Sequence, residues 1–502
     1  MAKTFELDTL KMRMNDAELQ RLDLHQRIQR ALRALILDGA LGPGIRLPAT
    51  RGLAKSLGVA RDTVENAYVQ LHRDGYIVRR EGSGSYVSEK VGTELRGAAR
   101  KRAKLEHGLG AAEPGAGLSR RGKMILDSGG VADQQVIKAF ATGLPETRTF
   151  PTDVWERLQR QVLKDYRAHV LLHGDPQGAE PLRRAIAAYL NLERGAKVLP
   201  EQVLVLSSTR QALFLCAQLL ADASKPMLME NPGYFGARKA FESAETRIVP
   251  IDVDAQGIRT DLLRADRSGA NCVYVTPSHQ YPTGATLSLE RRLELISWAA
   301  DHGKWIIEDD YDSEFHYDGL PTACVQGLDM HQRTIYLGTF SKTLYPGLRM
   351  GYMALPPVLV DAFSRARSIM DGHTPQILQL TLARFMEDGH YHSHVRAMRK
   401  LYGGRRQVLL EALGKQLGGV VQPVRPPGGL QIPCLLERGW SEEQTIRQAE
   451  GAGLRLPGLS RLYAGDYKQP GWLLGYASLT AYEIEAAVLR LSNALKRPGS
   501  TQ

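Results

Sequence analysis

"GTFSKTLYPGLRMGY", residues 338–352, follows the apolar run TIYL and sets one lysine, Lys342, behind Thr339 and Ser341 and seven residues ahead of Arg349. A lysine amine held partly unprotonated by burial near other cations condenses with an aldehyde to a Schiff base. Hydroxyls and a guanidinium beside it hold a phosphate, the arginine in bidentate fashion. Outward from this stretch, apolar strands alternate with amphipathic helices: QVLVLSST, RQALFLCAQLLA, PMLME, TRIVPID, CVYVTPS, RRLELISWAADHG and KWIIEDDY. The alternation predicts an α/β domain with a mostly parallel sheet, in which ligands gather at the carboxyl ends of the strands.

Two more motifs fall at such ends. LSSTRQAL, residues 206–213, closes a strand and opens a helix, so Ser208 and Thr209 either cradle a phosphate or cap the helix, with equal weight. WIIEDDYDSEF, residues 305–315, runs a buried strand into acids. A carboxylate there is costly without a cation or a protonated ring nitrogen as partner, and Asp309 is the candidate. Aldehyde, phosphate and pyridinium nitrogen together describe pyridoxal phosphate. No metal is expected: His390, His392 and His394 in GHYHSHVR advance by two-residue steps that share no helical face, and the run reads as an exposed helix end.

With 502 residues and 43% hydrophobic content, the chain supports at least two domains. Cys216, Cys272, Cys324 and Cys434 lie far apart, which argues against a disulfide framework or a zinc site and for a reducing compartment. The start MAKTFELDTL lacks signal-peptide character, and no apolar run reaches membrane-span length, so a soluble cytoplasmic protein is expected. The net charge of +11 is lopsided: residues 1–88 carry 14 Lys/Arg against 10 Asp/Glu, residues 89–123 carry 9 against 4, and the remainder is nearly balanced. A basic first quarter on a neutral body suggests a polyanion-binding arm.

That first quarter has helical patterning. LHQRIQRALRALILDGAL, residues 24–41, predicts an amphipathic helix, ATRGLAKSLG a short second one ended by Gly58, and VARDTVENAYVQLHRDG a third. The second and third fit a helix-turn-helix that offers Arg61, Asp62 and Thr63 to a major groove. YIVRREGSGSYV reads as a hairpin around Gly82-Ser83-Gly84, with Arg79 and Arg80 at its base. The expected organisation is a DNA-binding domain over residues 18–88, a flexible basic linker over 89–124, helical around RGAARKRAKLEHG, and an effector domain over 125–497.

The segment LPATRGLAKSLGVARDTVENAYVQLHRDGYIVRREGSGSYV resembles the winged helix-turn-helix of GntR-type bacterial regulators. The resemblance implies that Arg46, Thr50, Arg51, Arg61, Thr63 and the wing around Gly84 meet double-stranded DNA. SSTRQAL, ENPGY, TPSHQYPTG, EDDYDSEF and GTFSKTLYPGLRMGY, in that order, resemble fold-type I aminotransferases. By that resemblance Lys342 carries the internal aldimine of pyridoxal phosphate, Asp309 pairs with the pyridine nitrogen, and Tyr311 bonds the ring hydroxyl. Tyr234 stacks on the ring, Ser208, Thr209, Ser341 and Arg349 hold phosphate, and His279, Gln280 and Tyr281 line the ring's other edge. Both halves in one chain resemble the MocR/GabR group, which implies a head-to-tail homodimer whose small-molecule effector, pyridoxal phosphate or an amino acid, repositions the DNA-binding heads.

Two departures bear on what is sensed. The substrate-carboxylate arginine expected of an aminotransferase falls at Leu473 in GWLLGYAS, with Arg455 and Arg461 as substitutes, and His173 in LLHGDPQG stands where an aromatic hydroxyl is usual. An apolar residue cannot grip a carboxylate. The expectation is therefore a regulator rather than an enzyme; the alternative is an active aminotransferase carrying a DNA-binding appendage.

Overall fold

Ile28, Ala31, Leu32, Leu35 and Ile36 recur at the spacing that puts them on one stripe of a helix, and all five are buried. The computed structural model describes residues 5–91, 115, 117–131, 138–222, 224–319 and 322–495. The chain divides into two compact units, Met1–Ala116 and Gly117–Gln502.

In the first unit four helices, α1 (Leu7–Met14), α2 (Leu24–Leu37), α3 (Thr50–Leu57) and α4 (Arg61–Arg73), precede a hairpin of β1 (Ile77–Arg80) and β2 (Gly84–Val87). The α2 stripe packs on Val64, Ala67, Tyr68 and Leu71 of α4, and each such large side chain buried contributes roughly 1.5–3 kcal/mol. Gly58, at φ +70°, ends α3 in the left-handed region, and Val59 N–H donates back to the Ala54 carbonyl at 3.0 Å. Helix α1 was not legible in the sequence, because only Leu10 and Met14 are buried and two positions define no period. The segment GPGIRLP between α2 and α3 pairs with the hairpin: Leu47 N–H donates to the Ser85 carbonyl and Val87 N–H to the Ile45 carbonyl, each at 2.9 Å. The expected helical stretch RGAARKRAKLEHG lies outside the described residues.

The second unit is built on eight strands: β3 (Val203–Leu206), β4 (Met227–Asn231), β5 (Ile248–Asp254), β6 (Gly257–Ile258), β7 (Cys272–Val275), β8 (Trp305–Asp310), β9 (Thr334–Thr339) and β10 (Gly351–Ala354). Their order across the sheet is β3-β10-β9-β8-β7-β4-β5-β6. Pairs β4–β5, β4–β7, β7–β8 and β8–β9 are parallel, while β10 runs antiparallel to both neighbours. Helices cover both faces, which is why these strands read as continuous apolar runs. Ile307 and Leu337 meet the helix Thr209–Leu220 on one face, and Ile306 and Val273 meet Leu289–Asp301 on the other.

A second, antiparallel sheet follows: β11 (Val421–Pro423), β12 (Gln431–Leu436) and β13 (Gly471–Gly475), packed on the helices His390–Leu417 and Ala481–Leu495. The histidine run lies at a helix end as expected, but it is not exposed: His390 and His392 are half-buried. It opens the 28-residue helix, and His394 is buried with its ring 5.7 Å from Phe150, because the helix start packs inward. Among the described residues no cluster suits a metal ion, and no helix is long and apolar enough to cross a membrane.

The segment Phe140–Gly143 is clamped to β13, with Gly475 N–H donating to the Phe140 carbonyl at 3.1 Å. A Cβ on Gly475 would lie 1.9 Å from the Ala141 carbonyl oxygen. The expected result of Gly475→Ala is a loss of about 1–3 kcal/mol, typical of overpacking, and a lowered thermal midpoint. An unchanged midpoint would contradict this close approach.

Candidate functional site

Three acids in a row end β8, and strand alternation sends them to different faces. Glu308 accepts from the N–H groups of Val325 and Gln326 at 2.8 and 2.9 Å, at the start of a short helix. Asp310 pairs with Arg194 at 2.8 Å and accepts from the Tyr336 hydroxyl at 2.6 Å. Asp309 lies on the opposite face, where the Tyr274 hydroxyl donates to Oδ2 at 2.7 Å. Its Oδ1 is buried with no hydrogen-bond partner among the described residues. Burial raises the Asp309 carboxyl to about 7, against the opposing pull of the Tyr274 hydrogen bond and the Lys342 charge. A buried carboxylate with one oxygen unsatisfied fits a protonated ring nitrogen.

Lys342 follows β9 within the same turn as Ser341, and its Nζ donates to the Gly143 carbonyl at 2.7 Å. Gly143 has φ +67°, and a Cβ there would sit 2.5 Å from that Nζ, so only glycine leaves the amine its place. The Ser341 N–H donates to Thr339 Oγ1 at 3.2 Å.

Sheet register gathers the expected phosphate residues at one corner. Gly351 pairs with Thr339 on one side and Leu206 on the other, so Ser208, Thr209, Ser341 and Arg349 all lie where β3 and β9 end and β10 begins. A Cβ on Gly351 would touch the Thr209 nitrogen at 3.4 Å. Ser208 caps its helix by accepting from Gln211 N–H at 3.3 Å, leaving the helix N-terminus to present N–H groups. Arg349 is exposed and holds a left-handed backbone, φ +51°.

Three tyrosines form the other wall. Tyr281 stands edge-on to Tyr234 at 5.4 Å and to Tyr311 at 6.2 Å. The Tyr311 hydroxyl donates to the His279 carbonyl at 3.0 Å, and burial pushes its pKa well above the ordinary phenol value. Gln280 Nε2 donates to Glu230 and to the carbonyls of Pro232 and Tyr281. The His279 ring turns toward Asp312 rather than toward the tyrosines. Leu473 is buried among Leu459 and Leu462 against Tyr281, an apolar seat. Arg455 and Arg461 are exposed, and the charge of Arg461 reaches Tyr281. His173 is exposed, 5.9 Å edge-on from His373. Sequence reasoning missed Tyr274, Gly143 and Asp312: Tyr274 hides inside an apolar strand, and partners from distant segments leave no local signal.

In the first unit Arg46, Arg51 and Arg61 are exposed, and among the described residues none pairs with a carboxylate. Thr50 and Thr63 sit at the starts of α3 and α4. The Arg46 guanidinium lies against Gly84, 3.4 Å from where a Cβ would stand. Arg79 is instead engaged by Glu65 at 2.9 Å, and Arg80 lies over the Tyr86 ring.

Residues 141–438 match the family described as aminotransferase class I and II, and residues 24–87 match bacterial regulatory proteins, gntR family. The probable rhizopine catabolism regulatory protein MocR of Rhizobium meliloti is 35% identical over 94% of this chain and 93% of its own length. The transcriptional regulator TauR of Rhodobacter capsulatus is 31% identical over 94% of this chain and 96% of its own. Among solved structures, Pyrococcus horikoshii kynurenine aminotransferase in complex with PMP superposes with a TM-score of 0.67 at 26% identity, covering 79% of this chain and 98% of that one.

Proposed function

The chain belongs to the MocR/GabR-type bacterial transcriptional regulators, a gntR-family head on a body of the class I and II aminotransferase family, and from that membership we propose that it is a pyridoxal-phosphate-dependent sensor whose site at Lys342 governs DNA binding. The observation that carries the reading is the unsatisfied Oδ1 of buried Asp309 on the same sheet edge as Lys342. When bound, the cofactor supplies an aldehyde that an amine captures covalently and a ring that withdraws electrons. Lys342 provides the amine, while Asp309 holds a proton on the ring nitrogen. Ser208, Thr209, Ser341 and Arg349 hold the phosphate, and Tyr234, Tyr281, Tyr311 and the segment from His279 border the ring. The burial of Leu473 supports a regulator over an enzyme, since nothing at that position grips a substrate carboxylate. The effector is pyridoxal phosphate or an amino-acid-type molecule, and the working form is a head-to-tail homodimer in the cytoplasm.

The head meets a double-stranded operator through Arg46, Thr50, Arg51, Arg61, Thr63 and the wing at Gly84. The arginines neutralise phosphates and set the register. Arg46→Ala is expected to weaken binding evenly across sequences and to flatten the plot of log affinity against log salt by roughly 0.9, one phosphate contact. The test is operator binding over a salt series, with and without pyridoxal phosphate and a panel of amino acids, alongside an assay for keto acid. Sustained keto-acid production, or operator affinity indifferent to every added molecule, would overturn the sensor reading.

A further inference from the structure

The residue that receives the Tyr311 hydrogen bond is itself tethered to the neighbour of Tyr311. His279 accepts the phenol on its main-chain oxygen at 3.0 Å, and its ring Nδ1 meets Asp312 Oδ1 at 2.7 Å. With Nδ1–H as the donor, the Asp312 oxygen accepts. Both side chains are buried, 2% and 1% exposed, and this one contact joins them. The other ring facing His279 is His316, parallel at 6.0 Å, and Arg194, held by Asp310 and Ser278, lines the same small cavity as His279.

The pair also lies under the connection to the second sheet. A Cβ on Gly428 would fall 2.4 Å from His279 Nε2, and one on Gly429 3.2 Å from Asp312 Oδ2. Only glycines let this backbone close over the pair. Gly429 N–H donates to the Phe315 carbonyl at 2.8 Å, and the Gly429 carbonyl accepts from Tyr317 at 2.8 Å and from Tyr476 at 2.5 Å. These glycines lead directly into β12.

We propose that His279 and Asp312 are positioning residues, a buried dyad that fixes the direction of the Tyr311 phenol and ties it to the sheet of β11 to β13. This rests on the cofactor reading given above. Displacement of Tyr311 by a ligand pulls on the 311–317 segment, and the glycine closure passes that pull to β12 and β13. Asp312→Ala unpins the imidazole. Asp312→Asn keeps a carbonyl oxygen that accepts from Nδ1–H, and so keeps the geometry.

The test measures pyridoxal phosphate affinity and the pH midpoint of the bound cofactor's visible band in the full-length wild type and both variants. Supporting residues of this kind cost about tenfold or more when removed, by analogy with the groups that orient metal ligands. Asp312→Ala is expected to weaken binding about tenfold and to move the midpoint, and Asp312→Asn to stay within about threefold of wild type. Hydrogen exchange in the wild type, which needs no substitution, should slow across residues 428–436 and 471–475 on adding pyridoxal phosphate. Wild-type affinity and midpoint in Asp312→Ala, or exchange in those strands that ignores the cofactor, overturns the dyad. A wild type with no cofactor band defeats the underlying cofactor reading instead.

Discussion

Lys342→Ala is expected to abolish covalent capture of pyridoxal phosphate. The amine it removes is the one seated against the Gly143 carbonyl at the carboxyl edge of the sheet, between the phosphate corner and Asp309. The wild type incubated with pyridoxal phosphate should gain a visible band and, after borohydride reduction, the mass of one phosphopyridoxyl group on the peptide containing Lys342. The variant should show neither. The phosphate residues and the tyrosine wall remain, so weak, non-covalent binding survives. Any change in operator affinity that pyridoxal phosphate produces in the wild type should disappear. A variant that still fixes the cofactor on reduction would place the reactive amine elsewhere and end the assignment.

Asp309→Asn should move cofactor affinity and stability in opposite directions. With the ring nitrogen as partner, the carboxylate forms a buried ion pair, and breaking such a pair costs about 3–5 kcal/mol, so affinity should fall by a hundredfold or more. Without cofactor, burial raises the carboxyl to about 7 from an ordinary value of 3.8. A raised acid binds its proton more tightly folded than unfolded, so the stability it contributes is complete below about pH 4 and is lost as pH climbs through about 7. Above that, ionised Asp309 costs the cofactor-free protein on the order of 4 kcal/mol. Asparagine does not titrate, still accepts from Tyr274, and leaves the same unpartnered position that the protonated acid leaves. The cofactor-free variant should therefore match wild type near pH 4 and exceed it in thermal midpoint at pH 8. Glu230, Glu308 and Glu314 are also raised to about 7 by burial and titrate in both proteins; Glu308 and Glu314 cancel in the comparison, whereas Glu230, which the Asp309 charge helps to raise, is relieved in the variant and adds to the gap at pH 8. A gap in midpoint independent of pH, or undiminished affinity, would refute the role assigned to Asp309.

These two predictions trace how differently the parts of the site could be read from the chain. Lys342 was legible because its neighbours in sequence, Thr339, Ser341 and Arg349, are also its neighbours across one turn and one strand pairing. Asp309 was legible as one acid of three, yet WIIEDDYD by itself does not say which of Glu308, Asp309 and Asp310 is left without an arginine or a helix start to hold it. Only the tertiary structure shows the start of the helix Val325–Leu328 taking Glu308, and Arg194 with Tyr336 holding Oδ2 of Asp310, while Asp309 on the opposite face is the acid that the Lys342 charge reaches. The role of Ser208 was open between cap and cradle, and its bond to Gln211 N–H shows the hydroxyl capping while the helix start still faces the corner. His279 was expected to line the ring, whereas its side chain points to Asp312 and its main chain receives Tyr311.

Periodicity and short motifs were enough for the winged head, the strand-helix alternation and the kinds of chemistry present, because apolar spacing, turn glycines and residues adjacent in sequence act over one or two turns of chain. Which groups meet was decided by packing: Tyr274 comes to Asp309 from another strand, Gly143 to Lys342 from 199 residues away, and Gly428 to His279 from the connection between β11 and β12. Desolvation is a property of such gathered environments, since a carboxylate is raised, or a histidine pinned, only once strands from distant parts of the chain have excluded water around it.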